Sequence, residues 1–377
     1  MESNNKNQEY INLREGFEQN YPHYPPELDA TPPERSAPPP VPEFAFAPRH
    51  SNNFMLILVL GAVVLPFVVL YALRLVSTLI PGFDAANIPL WVVSVVAIQF
   101  VLLGGASVAF MIIKRRHIKD ILPLRRLGWR NVIMIVALTL ALIPVLSLAN
   151  LVSQLAFPNV IAEVMEDVIQ DGGIWMSLAV FAIVPPIFEE IAFRGVGFVG
   201  FKHVKIRTAA IINGLAFGFL HMNMNQFIYA FLGGVIFCYL MYYTKSIWAP
   251  ILSHFVVNAF GAIMSYFQRQ AVSSSYQDTP ALDLTAGGEE VLVMLISLGL
   301  FALISLAIFI GIYILFKRHN LRRNEAEGIV TDTAAAAREA GLRRPVAFTW
   351  AFWASFAIFV MIMLLNYIAV PMVENGL

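Results

Sequence analysis

Two adjacent glutamates and an arginine lie in an otherwise apolar stretch, VPPIFEEIAFRGVG, at residues 184–197. Glu190 and Arg194 are four residues apart, and side chains at that spacing share one face of a helix, so we expect them to form an ion pair. Glu189 points about 100° away around the helix axis. Because it is left without that arginine, Glu189 is the carboxylate that is free to act as a base.

Two histidines occupy similarly apolar surroundings further along the chain. His221 ends the stretch FGFLH, which begins at Phe217, and Asn213 lies one turn earlier on nearly the same helix face. His254 begins the stretch HFVVN, in which Asn258 follows four residues later and places a carboxamide beside the imidazole. Each stretch alone is more typical of a hydrogen-bonded core histidine than of a functional site.

A carboxylate and two histidines that meet inside a membrane suit hydrolysis by an activated water. Glu189 and His221 could hold the water and remove its proton. His254 and Asn258 could donate hydrogen bonds to the oxyanion of a tetrahedral intermediate. An EExxxR face by itself usually indicates a surface salt bridge, so the prediction depends on the ordered combination of all three elements.

The composition indicates a polytopic membrane protein. Of the 377 residues, 58% are hydrophobic and 13% are charged, and the mean hydropathy is +0.69. The formal net charge of zero gives no global field that would favour a nucleic-acid partner, so we expect none. The single cysteine, Cys238, excludes an intrachain disulfide.

The apolar runs predict an all-α, polytopic transmembrane helical bundle of eight or nine spans with a buried polar cavity. The fifth and sixth spans are short and close together, so either could be tilted or partly re-entrant. The nine predicted spans are 54–73, 88–113, 132–150, 175–200, 208–221, 226–243, 247–268, 291–316 and 348–370.

Three regions are predicted along the chain. Residues 1–53 form a proline-rich, disordered cytoplasmic tail, because they hold too little apolar surface to fold alone. Residues 54–270 form the membrane bundle, with a candidate catalytic core at about 175–268. Residues 271–377 add two spans joined by a charged cytoplasmic linker with a short alanine-rich helix. The acidic stretch 151–174 could lie along the outer interface or be a plain connector.

The distribution of lysine and arginine predicts the orientation of the spans. Alternate loops hold 18 of these residues on one side and 2 on the other. Under the positive-inside rule this places the N-terminus in the cytoplasm and the C-terminus outside, and we expect the plasma membrane as the location.

The ionisable residues left inside the predicted spans are the ones in the three motifs: Glu189, Glu190, Arg194, His221 and His254. An ionised side chain near the bilayer centre costs about 3 kcal/mol on insertion scales. Such a concentration of costly groups indicates a functional site.

These motifs resemble those of the CAAX prenyl endopeptidase and bacteriocin-processing family, also called CPBP or Abi. The family pattern is EExxxR, then FxxxH, then HxxxN or HxxxD in successive membrane helices. This chain reads EEIAFR at 189–194, FGFLH at 217–221 and HFVVN at 254–258, in the same order. The resemblance covers about 175–268, or starts at 88 if the preceding helices count, and it leaves out the tail and the last two spans.

The resemblance implies an intramembrane endopeptidase that acts on a membrane-associated peptide or protein within the lipid bilayer. In that reading Glu189 activates the water, Arg194 braces Glu190, and His221 contacts the water, while His254 and Asn258 bind the oxyanion. The implied catalytic set is Glu189, Glu190, Arg194, His221, His254 and Asn258.

Two questions stay open from the sequence. The family is commonly labelled metalloprotease, and His221, His254 and Glu189 would match a catalytic zinc shell. A water activated by glutamate without a cofactor fits as well, because the chain has no HExxH motif. The same polar residues could also serve a secondary transporter as an ion relay, or belong to a non-catalytic immunity or scaffold protein.

Overall fold

The computed structural model describes residues 46–80, 89–157, 159–274, 288–339, 341–342 and 345–374. These residues form helices and connecting segments, and the one β contact among them is an isolated bridge between Leu124 and Ser246. The predicted disordered tail lies outside the described residues as far as residue 45.

Eleven helical segments follow one another in the described residues. Two of them are composite: α2 joins Leu90–Val95, a π-helical turn at Val96–Gly105 and Ala106–Ile113, and α5 joins Val160–Ser177, Leu178–Ile183 (π), Val184–Glu190, Ile191–Val196 (π) and Gly197–Val199. The others are α1 Pro48–Leu79, α3 Ile118–Ile121, α4 Trp129–Gln154, α6 Ile206–Leu220, α7 Met224–Thr244, α8 Trp248–Ser274, α9 Glu289–Ala326, α10 Thr333–Glu339 and α11 Trp350–Glu374.

Seven of these helices are long and apolar enough to cross a membrane, which confirms the all-α, multi-pass bundle. They are Pro48–Leu79, Trp91–Ile113, Trp129–Gln154, Val164–Val199, Met224–Thr244, Trp248–Ala271 and Val291–Ala326. The predicted fifth span corresponds to α6, whose 15 residues rise about 22 Å, less than the roughly 30 Å hydrocarbon core. The count of nine spans therefore stays a prediction.

Several boundaries differ from the predicted ones. Helix α1 begins at Pro48, six residues before the predicted span, because Pro at the first helical position costs no backbone hydrogen bond. Helix α5 begins at Val160, so most of the stretch taken as an interfacial segment or connector is continuous with the fourth span. The helix changes direction at Gly173, whose φ of 64° suits glycine.

The first part of α5 is fastened to its neighbours by its acidic side chains. Arg269 on α8 forms an ion pair with Glu166 at 2.9 Å. The Trp91 indole on α2 donates to Asp171 at 2.9 Å. These contacts bring α2, α5 and α8 together at one end of the helices that carry the site.

The hairpin of α6 and α7 packs closely because glycines face each other. A Cβ on Gly234 would lie 3.0 Å from the Cα of Gly214 and 3.2 Å from the Arg194 guanidinium. Larger residues at this crossing would separate the two helices. The close approach lets the backbone of α7 reach the arginine of α5.

The last two long helices pack on the bundle. Asn320 on α9 and Asn131 on α4 exchange amide hydrogen bonds of 2.8 and 3.1 Å. Phe359 on α11 contacts Phe219 and Phe227 at centroid distances of 5.1 and 4.9 Å. The expected alanine-rich helix of the linker is present as α10, and the division into three regions stays a prediction.

Candidate active site

The ion pair between Glu190 and Arg194 lies at the centre of the site and confirms the expectation from their spacing. Arg194 Nη1 donates to Glu190 Oε1 at 2.9 Å, and neither side chain is exposed. The second guanidinium nitrogen donates to the carbonyl oxygen of Gly234 at 3.0 Å. The arginine therefore connects α5 to the backbone of α7.

Two aromatic rings enclose the guanidinium of Arg194. Its Cζ lies 4.6 Å from the ring centroid of Phe217 and 5.3 Å from that of Phe237. Cation–π attraction is strongest where water is excluded, so both rings stabilise a buried cation. The phenylalanine of the FxxxH element, Phe217, therefore helps to stabilise the charge of Arg194.

His254 is joined to the same carboxylate. Its Nδ1 lies 2.9 Å from Glu190 Oε1, and its ring stacks on Phe237 at a centroid distance of 5.0 Å and an interplanar angle of 26°. Glu190 Oε1 thus contacts both Arg194 and His254, and the carboxylate holds α8 against α5.

Glu189 presents its two oxygens to different partners. Gln99 Nε2 on α2 donates to Glu189 Oε1 at 3.0 Å. Glu189 Oε2 faces His254 Nε2 at 3.8 Å, a separation too long for a direct hydrogen bond. A water beside these two atoms could form a hydrogen bond with each of them.

His221 and His254 both contact the ring of Phe217. The centroid of Phe217 is 5.0 Å from that of His221 and 5.8 Å from that of His254. His221 Nδ1 lies 2.9 Å from the Phe217 carbonyl oxygen in its own helix, so Nε2 is the nitrogen left for chemistry. Phe217 thereby brings the FxxxH and HxxxN elements together.

The two asparagines of the predicted site have different environments. Asn258 Nδ2 donates to the carbonyl oxygen of Phe181 at 2.8 Å, and the second hydrogen of that amide is left for another acceptor. Asn213 is fully buried and donates to the Phe193 carbonyl oxygen at 2.8 Å, while it accepts from the Cys238 thiol at 3.2 Å. Asn213 supports the backbone beside Arg194.

One segment of the chain matches a known protein family. Residues 171–260 match the family model described as type II CAAX prenyl endopeptidase Rce1-like. This segment is Rce1-like. It contains all three motifs, and over it the resemblance drawn from the motifs is confirmed.

One curated relative agrees with that assignment. A protein of Bacillus subtilis (strain 168) named "Putative membrane peptidase YdiL" is 34% identical over 99 residues, which cover 26% of this chain and 40% of that relative. The chain therefore spans less than half the length of this relative. No solved structure gave a significant match.

A catalytic zinc centre in the Rce1-like segment would need three protein ligands close together. No group of three or more His, Cys, Asp or Glu side chains in the described part of the chain is arranged to hold a metal ion. The zinc set expected from the sequence was Glu189, His221 and His254. Glu190 engages His254 Nδ1, which leaves Nε2 of that ring facing Glu189 Oε2 at 3.8 Å. These side chains as placed do not form such a three-ligand group, and a zinc site stays a prediction.

Gln99 is a polar side chain of the site that the sequence did not predict. It lies outside the Rce1-like segment, ninety positions before Glu189, and it carries no charge that would single it out. The available signal was an amide side chain in the apolar run VVAIQFVLLGG.

Proposed function

We propose that the protein is an intramembrane endopeptidase that hydrolyses a peptide bond of a membrane-associated protein or peptide with a water activated by Glu189. The observation that carries the proposal is the pairing of Glu189 Oε2 with His254 Nε2 across 3.8 Å, beside a fully buried ion pair. A base and a ring nitrogen this close can act on the same substrate carbonyl, the base through its water and the ring nitrogen at the carbonyl oxygen.

The reaction follows from the position of each group. Glu189 takes a proton from a water held with His221, and the resulting hydroxide attacks the carbonyl carbon of the peptide bond. The oxyanion accepts hydrogen bonds from His254 and from the second N–H of Asn258. When the intermediate collapses, the C–N bond breaks and the proton on Glu189 passes to the leaving amine.

The Glu190 contact decides how His254 can take part. If Glu190 is ionised, as its pairing with Arg194 favours, then His254 Nδ1 carries the hydrogen that it shares with Glu190. Nε2 can then donate to an oxyanion when the ring holds a proton on each nitrogen. In that state two carboxylates are balanced by Arg194 and His254, so the buried cluster has no net charge.

The placement of the site suits a substrate that enters from the cytoplasmic side. His254 is six residues after Trp248, the first residue of α8, which corresponds to about 9 Å along the helix axis. That end of α8 adjoins the loops rich in lysine and arginine, which we assign to the cytoplasm. A lipid-anchored or membrane-bound peptide could reach the site there from the plasma membrane.

Comparative peptidomics tests the proposal in cells. Membranes from cells with the native protein and with Glu189→Gln are compared for peptide termini. We expect a set of termini that is present with the native chain and missing with Glu189→Gln at equal protein level. Identical sets of termini, with uptake of a solute by proteoliposomes, would instead support a transporter.

A further inference from the structure

We propose that Gln99 is a positioning residue that orients the carboxylate of Glu189 for water activation. The inference rests on the proposed function and adds to it a residue from outside the Rce1-like segment. Gln99 is buried at 8% exposure, and its Nε2 donates to Glu189 Oε1 at 3.0 Å.

The contact makes the two oxygens of Glu189 inequivalent. Oε1 is held by Gln99, and Oε2 is directed at His254 Nε2. A carboxylate without such a donor can rotate and present either oxygen or neither to the water. A fixed carboxylate loses less orientational freedom when the reaction begins, which is how supporting hydrogen bonds contribute to catalysis.

The chemistry of the amide supports this orientation. If the side-chain amide of Gln99 were turned over, its oxygen would face the oxygen of Glu189, and two acceptors repel each other. Gln99 Oε1 has no hydrogen-bond partner among the described residues, although it is buried. The contact with Glu189 is therefore the interaction that determines how this amide points.

The helix that carries Gln99 is held independently of that contact. Gln99 lies in the π-helical turn Val96–Gly105 of α2. Such turns are rare in proteins overall, but where they occur they often lie at functional sites. The ring of Phe100 packs on the ring of Phe188 of α5 at a centroid distance of 4.6 Å. A Cβ on Gly104 would lie 3.0 Å from the Phe188 ring. Loss of the amide should therefore leave α2 in place.

The test compares Gln99→Met with Leu103→Met in purified protein. Methionine keeps the length of the Gln99 side chain but removes its donor. Leu103 is fully buried in the same π-helical turn, and its hydrocarbon side chain offers Glu189 no hydrogen bond. We expect kcat to fall about 10- to 100-fold in Gln99→Met, because the carboxylate is no longer held in its productive orientation, with KM within about twofold of the native value. Leu103→Met should retain the native kcat.

A double-mutant cycle separates positioning from a general loss of structure. Glu189→Asp shortens the carboxylate beyond the reach of Gln99, so adding Gln99→Met to it should reduce the residual kcat by less than about twofold. A native kcat in Gln99→Met, or a loss that is equally large in both backgrounds, would overturn the inference. The proposed function would still stand if the native chain cleaves and Glu189→Gln does not.

A second measurement does not depend on peptide cleavage. Labelling of Glu189 by a membrane-permeant carbodiimide, followed by mass spectrometry, reports access to the carboxylate. The label should form several-fold faster in Gln99→Met than in Leu103→Met, because the amide no longer covers Oε1. Equal labelling rates would overturn the inference whatever reaction the protein performs.

Discussion

Glu190 on α5 and His254 on α8 are joined by a 2.9 Å hydrogen bond at the carboxylate oxygen that also accepts from Arg194. One oxygen atom thus connects the EExxxR and HxxxN elements. Because the carboxylate is fully buried, its charge needs both partners. In the proposed reaction the two adjacent glutamates therefore have separate tasks: Glu190 joins α5 to α8, and Glu189 activates the water.

Removal of the buried cation should destabilise the protein strongly. Arg194→Met leaves Glu190 as an uncompensated buried charge, so we expect a loss of about 3–5 kcal/mol in the free energy of unfolding. The double variant Glu190→Gln/Arg194→Met should recover part of that loss. Thermal unfolding in detergent measures both effects.

The matched control for this change is Arg269→Met. Arg269 pairs with Glu166, whose side chain is 67% exposed, so the loss should stay below about 1 kcal/mol. A loss in Arg194→Met no larger than in this control would contradict the role given to the buried pair.

Phe217→Leu should impair the site more than the fold. The ring contacts Arg194, His221 and His254, and leucine offers no π face for the cation. We expect kcat to fall at least about tenfold, since a small misplacement of catalytic groups is costly. Cleavage assays under saturating peptide give the value.

Phe219→Leu serves as its comparison on the same helix. Phe219 is fully buried but contacts the aromatic rings of α11 and Phe227, away from the site. The Phe219→Leu substitution should lower the melting temperature, while the correctly folded fraction keeps the native kcat. Equal kcat losses in both variants would count against a specific role for Phe217.

Asn258→Ala should lower kcat by about 10²–10³, the effect of removing one oxyanion donor. It also leaves the Phe181 carbonyl oxygen without the hydrogen bond that Asn258 donates. Asn320→Ala removes a buried amide from the pair with Asn131, so it should cost stability without changing kcat per folded molecule. Activity of Asn258→Ala near the native level would exclude an oxyanion role.

Chelation should leave cleavage intact. The proposed reaction uses side chains and a water, and no three-ligand metal group is found among the described residues. After treatment with a strong chelator and gel filtration, we expect native kcat together with a metal content far below one ion per chain. Loss of activity that returns on adding zinc would show that the histidines bind a metal.

The helices and the central ion pair could be predicted from the sequence because they depend on local spacing. Apolar runs of sufficient length give spans, and four residues of separation place Glu190 beside Arg194. The start of α5 could not be predicted, since acidic residues at helical spacing suit both a connector and a helix. The change of direction at Gly173 could not be predicted either. Glycine permits a positive φ, but a glycine in a sequence does not require one.

The tertiary contacts of the site were beyond the sequence for a different reason. These contacts depend on how two helices are rotated against each other. They are the hydrogen bonds of His254 with Glu190, of Asn258 with the Phe181 carbonyl oxygen, and of Gln99 with Glu189. Motif spacing fixes neighbours within one helix only. Gln99 was missed because a survey of ionisable groups passes over an uncharged amide.

The most direct measurement of the central claim is the cleavage rate of purified Glu189→Gln in proteoliposomes, with Glu166→Gln as the exposed acidic control on α5. We expect Glu189→Gln to keep the native melting temperature within a few degrees and to lose cleavage by at least about 10³-fold, while Glu166→Gln cleaves at the native rate. Retained cleavage by Glu189→Gln would contradict the assignment of this carboxylate as the base.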